Sequence, residues 1–390
     1  MNELAREFGD RRNGRRFSAI RRLAILRLAA AWIRRQAWNL DPGYFALVMA
    51  TGIVSNALFL EGQRALSDAL FAVNLLAYPW LWLLTITRAF RCTAAMWADL
   101  INARRVFLFF TAVAATDVLA MSVALRGGAG IALALWLLAL ALWLALIYVG
   151  FGVLLLHNSS RNLDVIEGAW LNAIVGTQSL VIVGGAAALP AAAFGAQAFI
   201  VLDMFWIFGL ILYAILIVLL CQRFFFSQFG PDQVGAPLWI VMGAAAITVN
   251  AGTILILDGG ATSFLRALDP FLSGATLGAW AWATWWIPLL LLLGVWKHGL
   301  HGRSMRYTPI FWSIVFPLGM YSAATLRLAS VTATPLLGSL ASAMTWIALA
   351  AWCATAFAFI AAALRNARAL IGIARFFGAA AAHRRALTGR

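Results

Sequence analysis

The sequence predicts an all-α polytopic membrane protein of ten transmembrane helices, and three observations carry that prediction. The 390 residues are 64% hydrophobic and only 11% charged, whereas soluble domains run near half apolar and a quarter charged. Ten separate apolar runs are each long enough to cross a bilayer, which takes about 20 residues. The cationic residues gather in one set of loops, the pattern that orients membrane helices.

The runs cover residues 44–60, 66–87, 106–125, 130–155, 168–188, 198–221, 236–257, 271–296, 308–329 and 336–364. Together they make one transmembrane domain over residues 40–365. A basic segment, residues 1–39, precedes it, and a basic tail, residues 366–390, follows. Of the 29 Lys and Arg, all but Arg64, Arg126, Arg266 and Arg327 fall in these terminal segments or in the loops after even-numbered runs. Both termini are therefore expected on the cytoplasmic side of the plasma membrane. The net charge of +15 is a topology signal, and nucleic acid is not an expected partner. The stretch RRFSAIRRLAILRLAAAWIRRQ, residues 15–36, lacks a small-residue cleavage site and is no signal peptide. It fits either an amphipathic helix on anionic lipid or a solvated basic tail.

Little in the chain suggests catalysis. Cys92, Cys221 and Cys353 are far apart and read as small apolar fillers. The four histidines lie outside the apolar runs, so neither a metal centre nor a cofactor is expected. The single lysine, Lys297, follows Trp296 at the end of the eighth run; there is no phosphate loop and no mid-span lysine for a Schiff base. The acidic pair Asp164 and Glu167 in LDVIEG is the nearest hint of a transferase. It reads instead as negative charge at a helix N-terminus.

Odd and even runs differ in chemistry. The fourth, IALALWLLALALWLALIYVGFGVLLL, holds no Ser, Thr, Asn, Gln or charge and suits lipid. The odd runs carry Thr51, Ser55 and Asn56; Thr116 and Asp117; Asn172, Gly176 and Ser179; Asn250 and Thr253; and Ser313. Polar groups in hydrocarbon must face protein or water, and spacings of three and four put several of these on shared helix faces. An inner circle of odd helices around a polar path is the favoured reading. Helix packing through small residues and interhelical hydrogen bonds is the other.

The ninth run contains FWSIVFPLGMYSAATLRLA, residues 311–329. Pro317 cannot donate to the Ser313 carbonyl, which bends the helix and turns the ring of Phe316 toward the axis. Asp117 would repel a passing anion. It is expected either to pair with Arg327 near the outer mouth, or to bond to nearby hydroxyls while Arg327 snorkels to the interface.

Four phrases, in order, resemble one family. LDPGYFALVMATGIVS, WLNAIVGTQSLVIVG, FLSGATLGAWAWATWWIPLLLLLGVWKH and FWSIVFPLGMYSAAT are similar to the first, fifth, eighth and ninth spans of the tellurite-resistance/dicarboxylate transporter family. That family includes bacterial tellurite-resistance channels, fungal malate and sulfite permeases and plant slow anion channels. The resemblance implies five helical hairpins, with odd helices forming an inner pore ring and even helices an outer one. It also implies homotrimers in lipid and an anion pore in each protomer, plugged by Phe316 beside Pro317. The expected lining is Thr51, Ser55, Asn56, Thr116, Asn172, Gly176, Ser179, Asn250, Thr253, Ser313 and Met320. The expected cargo is small inorganic anions, C4-dicarboxylates such as malate, or oxyanions such as sulfite and tellurite. A proton-coupled carrier using Asp117 or Asp203 is the alternative.

Overall fold

A computed structural model describes residues 27, 30–158, 165–188, 190, 198–226, 230–258, 263–303 and 307–388, with side chains as far as residue 365. Most of the basic N-terminal segment, together with Arg161, Asp164 and Arg306, lies outside the described residues. Ten helices are long and apolar enough to cross a membrane. They are α1 (Pro42–Leu60), α2 (Arg64–Arg91), α3 (Val106–Ala124), α4 (Ala129–Leu156), α5 (Gly168–Ala187), α6 (Ala198–Phe226), α7 (Ala236–Leu257), α8 (Ser263–Leu300), α9 (Pro309–Thr332) and α10 (Pro335–Arg365). Most bounds agree with the apolar runs within a few residues. The exception is α8, which starts eight residues before Phe271, because Arg266 and Asp269 lower the hydropathy of its first turns without breaking the helix.

Each odd helix opens with a short 3-10 turn: Pro42–Phe45, Val106–Phe109, Gly168–Leu171, Ala236–Trp239 and Pro309–Phe311. Prolines at the first positions of three of them supply a φ suited to a helix start and lack an N–H that would go unpaired. The five turns touch in a closed circuit and define one end of the bundle, the turn end. Above them α1, α3, α5, α7 and α9 pack in the same circuit, with α9 returning to α1. Each odd helix also packs against the even helix that follows it.

Burial separates the two sets. Between 67% and 94% of the most apolar stretch of each odd helix is buried, against 6% to 39% for the even ones. The even helices expose large apolar side chains such as Leu76, Leu155, Phe226, Leu292 and Phe357. In water such surface would aggregate; against lipid it is stable.

Aromatic donors bind the outer helices to the inner ones. Tyr78 of α2 meets Thr116 of α3 at 3.0 Å. The indole N–H of Trp143 in α4 donates to Thr177 of α5 at 2.8 Å. Trp206 of α6 donates to the Thr248 carbonyl of α7 at 2.9 Å. Trp280 of α8 donates to Thr325 of α9 at 3.0 Å. Trp352 of α10 donates to Thr51 of α1 at 2.9 Å, so the series runs once around the bundle. Tyr and Trp suit this place because each combines a large apolar body with one polar tip.

Pro317 leaves α9 continuous from Trp312 to Thr332 and seats its ring on Gly243 of α7. A Cβ at Gly243 would lie 2.8 Å from the Pro317 Cγ, so only glycine allows the two helices this approach. The helix of α10 runs unbroken from Pro335 to Thr388, so the basic segment from residue 366 is helical through Thr388. The alanine-rich stretch beyond Arg365 has high helix propensity, which carries the helix on. At the other terminus, residues 30–38 are helical, and Trp32 lies 5.9 Å from Trp80 of α2, centroid to centroid.

A charge network joins α1, α2 and α3 at the turn end. Asp99, on the short helix Thr93–Leu100, accepts from Arg88 and, at 2.6 Å, from Arg105. Arg105 also donates to Asp41 at 3.0 Å, and Asp41 caps the first turn of α1 by accepting from the Gly43 N–H at 2.8 Å. Burial works against the charge of Arg105, but Asp41 and Asp99 outweigh it and hold its pKa above the ordinary value. Arg88 is only 5% exposed. Asp99→Ala therefore leaves a buried, uncompensated guanidinium and should destabilise the protein by about 3–5 kcal/mol. Asp68→Ala, at the exposed Arg126–Asp68 pair, should cost less than about 1 kcal/mol. Thermal unfolding of the two variants in detergent checks the contrast.

Candidate functional site

The five odd helices converge on one axial cavity. α1 lines it with Ile53, Asn56 and Leu60, and α3 with Asp117, Val118, Met121 and Leu125. α5 adds Ser179, Ile182 and Val183; α7 adds Ile247 and Asn250; α9 adds Met320, Ala323 and Arg327. The volume is about 30 Å³, room for about two waters at roughly 10–15 Å³ each on this measure. It runs from Asp117, which is fully buried, to Leu60, which is 38% exposed at the far end.

The polar lining is held in place by neighbouring helices. Asn56 Nδ2 donates to the Val118 carbonyl at 3.3 Å, and its Oδ1 accepts from the Ser122 hydroxyl at 2.7 Å. Ser179 donates to Asp117 Oδ2 at 2.7 Å. Asn250 Nδ2 points at the Met320 sulfur, 3.5 Å away. Two acceptors, Asp117 Oδ1 and Asn250 Oδ1, are buried without a hydrogen-bond partner. Asp117 and Arg327 both line the cavity, and Arg327 stands seven residues beyond Met320 along α9, about 10 Å toward the far end.

The sequence grouped more residues around the axis than the structure does. Asn56, Asp117, Ser179, Asn250, Met320 and Arg327 line the cavity. Thr51 turns to Trp352, and Thr116 to Tyr78. Ser55 exchanges hydrogen bonds with Ser67 of α2 through both hydroxyls and carbonyls. These three hydroxyls bind outer helices because a buried helix has two polar faces to satisfy, and a spacing of four does not say which is which. Gly176 abuts Phe110 of α3; a Cβ there would lie 3.1 Å from the ring. Thr253 donates to the Asn250 carbonyl at 2.8 Å, and Asn172 to the Ala169 carbonyl at 2.9 Å. Phe316 is 2% exposed and Ser313 9% exposed; neither touches the cavity. Phe316 lies four residues before Met320 and seven before Ala323, on the same stripe of α9 and one turn nearer the turn end.

Reasoning from polar residues missed the apolar lining, including Ile53, Ile182, Ile247 and Ala323. Helical register was the available signal: Ile53 is three before Asn56, and Ile182 is three after Ser179.

Comparison with known proteins now bears on this geometry. Residues 39–360 match the family model described as Voltage-dependent anion channel. The chain belongs to that family. The match covers all but the last few residues of the ten helices, and it is the family read from the four phrases in the sequence. Uncharacterized membrane protein Rv1735c of Mycobacterium tuberculosis (strain ATCC 25618 / H37Rv) is 34% identical over 142 residues, 36% of this chain and 72% of that protein. Uncharacterized transporter MJ0762 of Methanocaldococcus jannaschii is 22% identical over 328 residues, 81% of this chain and 93% of its own length. Membership in the voltage-dependent anion channel family sets the chain among anion channels and transporters rather than enzymes.

For a member of this family the axial cavity can be probed directly. In a background with the three native cysteines replaced, Asn56→Cys should react with a small water-soluble thiol reagent applied at the far end, and its neighbour Ser55→Cys should not. Labelling followed by mass spectrometry checks which face of α1 is wet.

Proposed function

We propose that this protein is an anion channel of the plasma membrane, conducting along the axis enclosed by its five odd helices and closed by Phe316. The observation that carries this reading is a single cavity to which every odd helix contributes, in a chain of the voltage-dependent anion channel family. At the cavity's inner limit the next turn of α9 offers the Phe316 ring. A large apolar ring in a narrow lumen stops ions by excluding water. The lining is amides, one hydroxyl, the Asp117 carboxyl and mostly aliphatic surface, with Arg327 toward the far mouth. Such a lumen draws anions in without trapping them, which conduction requires. Paired arginines for tight carboxylate capture are absent from the cavity among the described residues.

The cargo we propose is small inorganic anions, malate-like dicarboxylates, or oxyanions such as sulfite and tellurite. The arginine-rich loops at the turn end support a cytoplasmic location for that end. The exposed apolar even helices offer surface for lipid and for two further copies in a homotrimer. A coupled carrier is the second reading, favoured by one observation: Asp117 stands inside the cavity. Asp203, the other acid considered for that role, lies on α6 and does not line it.

Phe316→Ala should raise chloride or nitrate current through the protein in planar bilayers by at least about tenfold, equivalent to about 1.4 kcal/mol off the barrier. Unchanged current, with the native chain conducting, would remove Phe316 as the closure.

A further inference from the structure

Asp117 is the one acid in the axial cavity, and its surroundings do not match those of a structural carboxylate. It is 0% exposed. One oxygen takes the Ser179 hydroxyl at 2.7 Å, and the other has no partner. Across the cavity Asn250 Oδ1 is likewise a buried acceptor without a donor. A cavity edged by two orphan acceptors lacks a hydrogen, and a proton on Asp117 would supply one, to Asn250 directly or through one water. A bare carboxylate at this depth would instead meet each arriving anion with like charge in a medium that screens poorly.

The helices around Asp117 bring little to compensate an ionised carboxylate. α1, α5 and α7 face the cavity with neutral Asn56, Ser179 and Asn250, and the one titratable group of α1, Tyr44, sits at the turn end. α4 packs on α3 with a single titratable side chain, Tyr148, which is 78% exposed on the opposite side. α2 contributes the Tyr78 hydroxyl, engaged with Thr116. α9 contributes Arg327 at the outer end of the cavity. Arg126, on α3 itself, is held by Asp68 and by Ser67 at 2.7 Å.

We infer that Asp117 is a proton-operated element of the anion path: protonated, it lets an anion share the cavity and hands its proton on as the anion passes; ionised, it closes the cavity to anions. This rests on the reading of the cavity as an anion path and adds its regulation and coupling. One O–H bond forms on the carboxylate with a proton taken from one side, and it breaks when that proton is released to the other.

The test uses the full chain in liposomes carrying a chloride-sensitive dye and a pH-sensitive dye, with the membrane potential clamped by potassium and valinomycin. Chloride uptake by the native protein should rise at least about tenfold as the pH is lowered from about 9 to about 5.5, as the protonated fraction of a carboxylate grows, and protons should enter with chloride. Asp117→Asn should pass chloride at a rate independent of pH with no proton entry, while Asp117→Glu should keep both pH dependence and proton entry. Asp203→Asn should behave as the native chain. Native flux that ignores pH, an Asp117→Asn protein that still couples protons, or flux that depends on sodium at constant pH would each overturn the inference while leaving anion conduction intact. Failure of both the native chain and the Phe316→Ala protein to pass chloride, nitrate or malate above empty liposomes would overturn both this inference and the reading beneath it.

Discussion

The fold depends on the demand that no polar group be left bare in hydrocarbon. Five buried helices carry threonines and amides, and each is met by an aromatic donor from the exposed helix before it in the circuit: Tyr78, Trp143, Trp206, Trp280 and Trp352. These contacts fix the rotation of each inner helix about its own axis. Rotation decides which residues remain for the centre, so the outer hydrogen bonds select Asn56, Asp117, Ser179 and Asn250 as the cavity's chemistry.

What remains at the centre is sparse. The turn end is tight, with five 3-10 turns in mutual contact and Phe316 buried just above them. The far end is looser, where Leu60 reaches the surface. The cavity between the two ends is small, about 30 Å³. Glycine at 243 lets Pro317 approach α7, which anchors the turn of α9 that bears Phe316. The aromatic ring is thus fixed by a close backbone contact outside the path.

Much of the fold was legible. Run length and arginine placement revealed ten helices, and composition separated inner from outer, because the cost of burying polarity in lipid is written directly in residue type. The lining was legible only in part. Asn56, Asp117, Ser179 and Asn250 stand at the cavity, while Thr51, Ser55 and Thr116 bond to outer helices. Residue type says that a hydroxyl needs a partner; it does not say on which side the partner waits. The tryptophans of the even runs held that answer, since each brings one donor that must be spent against a neighbour. The opening turns were also readable in hindsight, in the recurrence of proline and aromatic residues in PGYF, APLW and PIF. The helix continues through residue 388 because charge, which marks a tail, does not stop an alanine-rich helix.

The meeting of α10 with α1 has a consequence for biosynthesis. Glu61 at the end of the first helix takes its hydrogen bonds from Ser342 and Thr345, and Thr51 takes its own from Trp352. These partners lie some 280 to 300 residues further along the chain. Until α10 has left the ribosome, α1 waits in the bilayer with its polar groups unmet by their final partners, and the circle has a gap. Closing the circle therefore depends on a later-made helix reaching back to a much earlier one.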